Sequence, residues 1–280
     1  MKKSRPKLRK RSPAGLRGIK VYLDRINDSV EQSDYIQFDP VQFVHAFEEK
    51  KDIEIAGFFA ALMAWGRRDI VIRKVENLLQ RMNYSPFDFI THYSQNDFSK
   101  LKGFKHRTFK PIDIHGIIYA LQSIYYEYED LESFWTECYQ TGKTVDRPPL
   151  ALFHEKFFRT TPELVSRTRK HISNPEHGST CKRLCMYLRW MVRKESTVDI
   201  GIWNFMDASE LLIPFDVHVA RQARKFGLVS RRSDDWKTVL ELTDTLKMMN
   251  PDDPVRYDYA LFGLGALGFT LPNRFLLNKV

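Results

Sequence analysis

The chain has 280 residues and a mass of 33.1 kDa, enough for one large or two small domains around a hydrophobic core. With 43% hydrophobic and 28% charged residues it has the composition of an ordinary globular protein, and no uncharged apolar run approaches the length of a membrane span. The net charge is +9, and three cysteines (Cys138, Cys181, Cys185) exclude a disulfide framework and a four-cysteine iron–sulfur or zinc site, so a reducing cytoplasm is expected.

Residues 1–20 hold nine Lys or Arg and no acid; without them 35 basic residues face 35 acidic ones. Pro6, Pro13 and the lack of an apolar stripe predict a flexible basic arm, suited to phosphates or simply to solubility. No secretory signal is visible. Helical periodicity follows. Ile55, Phe58, Phe59, Leu62 and Met63 share one helix face, and Val71, Val75, Leu78, Leu79 and Met82 another. Gly66 is expected to end the first of these helices and Asp69 to cap the second, which leaves Arg67 and Arg68 in the turn. Further helices are predicted over 113–127, 130–139, 150–158, 162–171, 180–193, 217–226, 234–249 and 255–267. Gly227 and Asn250-Pro251 supply stop signals. The clearest breaks are 141–149 (TGKTVDRPP) and 173–179 (SNPEHGS), and strand alternation and fixed-period repeats are lacking. The expectation is an all-α protein of roughly ten helices.

Two segments stand out chemically. In Pro175-Glu-His-Gly-Ser-Thr-Cys-Lys182-Arg-Leu-Cys-Met-Tyr-Leu-Arg-Trp190 a glycine turn precedes a helix with Lys182 in its first turn. The positive end of a helix dipole disfavours added cationic charge, which favours a neutral amine nucleophile there; a solvated or phosphate-bound lysine is the plain alternative. In Ile213-Pro-Phe-Asp216-Val-His218-Val-Ala-Arg221-Gln-Ala-Arg-Lys-Phe-Gly227, Asp216 precedes an amphipathic helix and is a natural N-cap. A capping carboxylate is also rigidly aimed and suited to stabilising a cation nearby. Residues 178–232 contain ten Lys or Arg and five acids, a local excess that suits phosphate contact or a solvated helix face.

The segment IPFDVHVARQARKFGLV resembles the P-V-D-T-H-V-x-R-V-x-x-R-L-G-L stretch of helix–hairpin–helix DNA glycosylases, through Pro214, Asp216, His218, Val219, Arg221 and Gly227-Leu-Val. Lys182 matches in order and helix position the lysine of that family's lyase-competent members. Phe58 to Leu79, with Asp69, resembles the family's early helix pair, and Leu261-Phe-Gly-Leu-Gly-Ala a later helix. The hairpin is reduced to PEHGSTCK and the family's iron–sulfur cysteines are missing. The archaeal 8-oxoguanine glycosylase branch is similar in its degenerate hairpin and long insertion. The pattern C-K-R-L…R-W-M-V-R…D-V-H also resembles a bacterial family of uncharacterised proteins, the DUF2400 type.

The resemblance implies a two-lobed helical fold with a cleft between the lobes, one lobe from 21–50 and 214–280, the other from 51–213. It implies base excision from DNA, with Lys182 and Asp216 catalytic and a nucleotide flipped into the cleft. Trp65, Met186, Asp258 and Phe262 would form the base pocket, the last two on one helix face; each is otherwise an ordinary core residue. Arg67, Arg68, Gly178, Ser179, Arg183, His218 and Arg221 would contact DNA. The partner is damaged duplex DNA, with an oxidised purine the lesion by analogy, and no membrane. The protein would be a monomer at the cytoplasmic nucleoid, needing no cofactor and no metal. Two rivals stay open. His171, His177, Cys181 and Cys185 lie close together, the last three at helical spacing, as zinc ligands would. A non-catalytic DNA- or RNA-binding protein would also use the basic helices.

Overall fold

In the computed structural model, residues 8–159, 167–269 and 272–278 are described. Every regular element among them is helical, the one β-bridge joining His106 to Phe109. Helix α1 runs Pro13–Val30, α2 Lys50–Met63, α3 Arg68–Arg81, α4 Pro86–Thr91 and α5 Pro111–Glu127. Then come α6 Leu131–Val145, α7 Pro149–Phe157, α8 Lys182–Val192, α9 Val217–Phe226, α10 Trp236–Lys247 and α11 Tyr257–Ala266. None of these is long and apolar enough to cross a membrane.

The expected flexible arm is corrected from residue 8 onward; residues 1–7 lie outside the described residues. Pro13 occupies the first helical position, where its missing N–H costs nothing, and Ser12 caps α1 by accepting from the Gly15 amide. Leu16, Ile19, Leu23 and Val30 form a buried stripe. Ahead of the helix, the Arg11 side chain donates to the carbonyls of Phe226 (2.8 Å) and Phe275. An apolar stripe was thus present, but it begins inside the charge run and continues past it.

Helices α2 and α5 are buried nearly all round, as mean apolar sequences without a polar face must be. α2 is the central element. A Cβ on its Gly57 would stand 2.6 Å from Met191 Cε of α8 and 2.7 Å from Val44 Cγ1, so glycine sets how closely α8 approaches. α6 and α7 pack against each other. The break expected at 141–149 is narrower than the sequence suggests: α6 continues to Val145 and stops where Asp146 turns left-handed ahead of Pro148-Pro149. The helix expected at 162–171 lies mostly outside the described residues, and Thr168–His171 is a 3-10 turn. α11 packs against both α1 and α9. Gly265 of α11 permits the second contact, since a Cβ there would lie 2.7 Å from His218 Cβ.

Candidate active site

Two chain reversals aim the first turn of α8. Gly178 (φ 78°) and Cys181 (φ 50°) are both left-handed, and the Ser179 hydroxyl accepts the Cys181 amide at 3.2 Å. A cysteine in that region is strained, a cost found where surroundings fix a site. α8 therefore starts at Lys182, two residues later than its apolar pattern suggests, with the half-buried Lys182 side chain in a cleft. Cys181 and Cys185 are buried, and burial pushes the Cys181 thiol up to about 12, so neither is a nucleophile at neutral pH.

Asp216 caps α9, as the sequence predicts. Its Oδ1 accepts the amides of His218 (2.8 Å) and Val219 (2.9 Å). The other oxygen, Oδ2, faces Lys182 Nζ at 3.8 Å, within ion-pair range but too long for a hydrogen bond. Gly227 closes the helix at φ 71°, where a Cβ would meet Leu277 Cδ2 at 2.4 Å.

These two groups line a cleft of about 1030 Å³, as do Trp65, Met186, Asp258 and Phe262. Trp65 is 51% exposed and stands with exposed Val217 and Leu267 among the lining residues, so it is no core residue. Phe262 meets His218 edge-on, ring centroids 5.7 Å apart. Arg68 lies over its ring at 4.6 Å and reaches Asp39 at 3.7 Å. Ser179, Arg183 and His218 also line the cleft. Arg183 donates to the Leu62 carbonyl at 2.6 Å and pairs with no carboxylate among the described residues.

Other expected DNA contacts sit elsewhere. Arg67 and Arg221 are exposed and outside the cleft lining, and Gly178 faces open space. Gly66 and Asp69 do not act as stop and cap: α2 ends at Met63, Arg67 takes the capping position, and Asp69 sits in the first turn of α3 bound by Arg67 and Arg73. The zinc arrangement fails because left-handed Gly178 and Cys181 break the helical register from His177 to Cys185. Among the described residues no group of three or more His, Cys, Asp or Glu could hold a metal ion.

Part of the basic excess at 178–232 is engaged by carboxylates: four of its ten basic residues, Arg189, Arg193, Arg224 and Arg231, form ion pairs with acids outside the cleft pair. Arg189 donates to Asp199 (3.2 Å), to Asp258 and to the Tyr259 hydroxyl (2.9 Å). Arg193 binds Glu31, Asp199 (3.0 Å) and Asp253 (2.7 Å), while Arg224 and Arg231 pair with Asp234 and Asp235. Two guanidinium groups thus serve four carboxylates beneath the cleft. Burial pushes Asp258 up to about 7 against the opposing pull of Arg189, and the neighbouring Asp216 and Asp199 add to the rise. Arg189, which holds Asp258, was missed by the sequence reading although it lies seven residues after Lys182, on the same helix face as Met186.

No curated protein and no solved structure matches the chain. The model of a family described as a protein of unknown function (DUF2400) matches residues 39–267, and the chain belongs to that family.

Proposed function

We propose that this member of the DUF2400 family is a DNA glycosylase with lyase activity. The observation that carries the reading is the convergence of Lys182 and Asp216, from distant segments, at 3.8 Å in a cleft of about 1030 Å³. That volume lies at the upper end of small-molecule sites and admits an extruded nucleoside. An amine beside a carboxylate, with aromatic and acidic groups lining the same space, is the equipment that attack on a sugar and recognition of a base require.

In this mechanism Asp216 Oδ2 takes a proton from Lys182 Nζ, and the freed lone pair forms a bond to the anomeric carbon as the N-glycosidic bond breaks. The bonding pair leaves on the base, which takes up that proton from Asp216. Nζ then passes a second proton to Oδ2, which gives it to the ring oxygen as the sugar opens, leaving a protonated imine. The carboxylate, ionised again, takes a C2′ proton as the 3′ phosphate leaves with its C–O bonding pair, and water hydrolyses the imine to release Lys182. Asp216 also stabilises the positive charge that builds on the sugar. Oδ1, fixed by two α9 amides, holds the group in place for these transfers.

The same proposal includes the two-lobed helix–hairpin–helix architecture, with 21–50 and 214–280 facing 51–213, and a monomer acting at the nucleoid. An oxidised purine is the first lesion to test. The experiment is borohydride trapping on a panel of damaged duplexes, with Lys182→Gln and Asp216→Asn as controls. A trapped adduct that both variants lose is expected. Neither adduct nor base release from any lesion would overturn the reading.

A further inference from the structure

A second groove lies on the outer side of α3. It encloses about 520 Å³ and is lined by Ile70, Arg73, Lys74, Asn77, Arg81 and Gly103, with no acid among them. Two elements join it to the cleft. On α3, Ile70 faces the groove and its neighbour Val71 the cleft; along the following segment, Gly103 faces the groove and Thr108 the cleft.

The connecting segment is strongly basic on its outer side. Residues 98–112 (FSKLKGFKHRTFKPI) contain five Lys or Arg and no acid. Lys102, Lys105, Arg107 and Lys110 are exposed, while Phe104, His106 and Phe109 point into the core and anchor the segment. His106 adds a bond to the Met63 carbonyl at 2.8 Å. Arg107 donates to the Trp65 carbonyl at 3.2 Å with its guanidinium 5.6 Å from that ring, which brings the basic strip to the cleft mouth. Nearby acids are occupied: Asp97 by Lys100, Asp69 by Arg67 and Arg73, Glu76 by the Tyr84 hydroxyl. Lys74, Lys102 and Lys105 pair with no carboxylate among the described residues.

From this continuity we infer that the groove between α3 and residues 98–110 carries the duplex arm flanking the extruded nucleotide; the inference rests on the DNA reading above. The groove offers cations, an amide and a glycine but no cluster of aromatic or aliphatic anchors, which fits phosphates and not a protein partner. From Ile70 to Arg81 the helix rises about 16 Å, the length of about five base pairs.

The test uses the full chain and its triple variant Lys74→Gln/Lys102→Gln/Lys105→Gln, whose changes are at two exposed lysines and one half-buried one, none in an ion pair among the described residues. On a duplex of about 20 base pairs, the slope of log affinity against log salt is expected to fall by about 2.7, near 0.9 for each lost phosphate contact. Borohydride trapping at saturating DNA should match the unaltered chain. An unchanged slope and affinity on the long duplex overturns the inference while leaving the glycosylase reading intact. Competition by polyglutamate as effective as that by duplex also overturns it. Failure of the unaltered chain to bind any duplex removes both.

Discussion

Asp216 divides its carboxylate between two tasks: Oδ1 accepts two amides of α9, and Oδ2 stands 3.8 Å from Lys182 Nζ. Asparagine can do the first task but not the second. Asp216→Asn should therefore keep the melting temperature within about a degree or two, since asparagine caps as well as aspartate. Asp216→Ala should cost about 1 kcal/mol, read by urea denaturation. Both should abolish the borohydride adduct. Loss of activity in the alanine variant alone would reduce Asp216 to a cap.

Asp258 gives the pH dependence. Its folded-state value near 7 lies above the usual carboxylate range, so between about pH 4 and 7 the native chain binds a proton that the unfolded chain has released. Its contribution to stability is fullest at the acid end and is lost as pH rises through about 7. Asp258→Asn should flatten this fall when unfolding free energies at pH 5 and pH 8 are compared. A steeper fall in the variant would reverse the sign of the argument.

Gly265 is where α11 meets α9. An added Cβ would press on His218 Cβ at 2.7 Å and on its Cα at 3.2 Å, so backbone and not a flexible side-chain tip must move. Gly265→Ala should destabilise by about 1–3 kcal/mol. It should also lower trapping, because His218 follows the Asp216 cap by two residues. Gly178→Ala makes a useful contrast: nothing lies near its Cβ, and its cost should be only the roughly 1–2 kcal/mol of the left-handed backbone.

α1 contributes buried apolar surface that a flexible arm would lack. Ile19 is 1% exposed, and Ile19→Ala should cost about 2–5 kcal/mol in urea unfolding. A cost near zero would show the segment to be loosely held.

Most helices were legible because their apolar spacing is strong. α9 shows it best, with the Asp216 and Gly227 signals at its ends. What stayed hidden depended on long-range pairing. Arg189 and Arg193 look like surface charge until Asp253, Asp258 and Glu31 are brought from distant parts of the chain to join the nearby Asp199. Pro13 reads locally as a helix breaker, because nothing nearby in the sequence shows that α1 packs against α11. The nearness of Lys182 to Asp216 had no local signature, and only the resemblance to another family's segment order suggested it. The 98–112 run was visible in the sequence, but a net charge averaged over the body concealed it.

Burial of an acid in its wall gives the cleft a charge that varies with pH. Lys170, Lys182 and Arg183 line it together with Asp258, whose value near 7 divides that carboxyl between its two forms around neutrality. A modest acidification therefore makes the lining more cationic, and a modest rise in pH makes it less so. An anionic visitor would be drawn in more strongly on the acid side of neutrality than on the alkaline side.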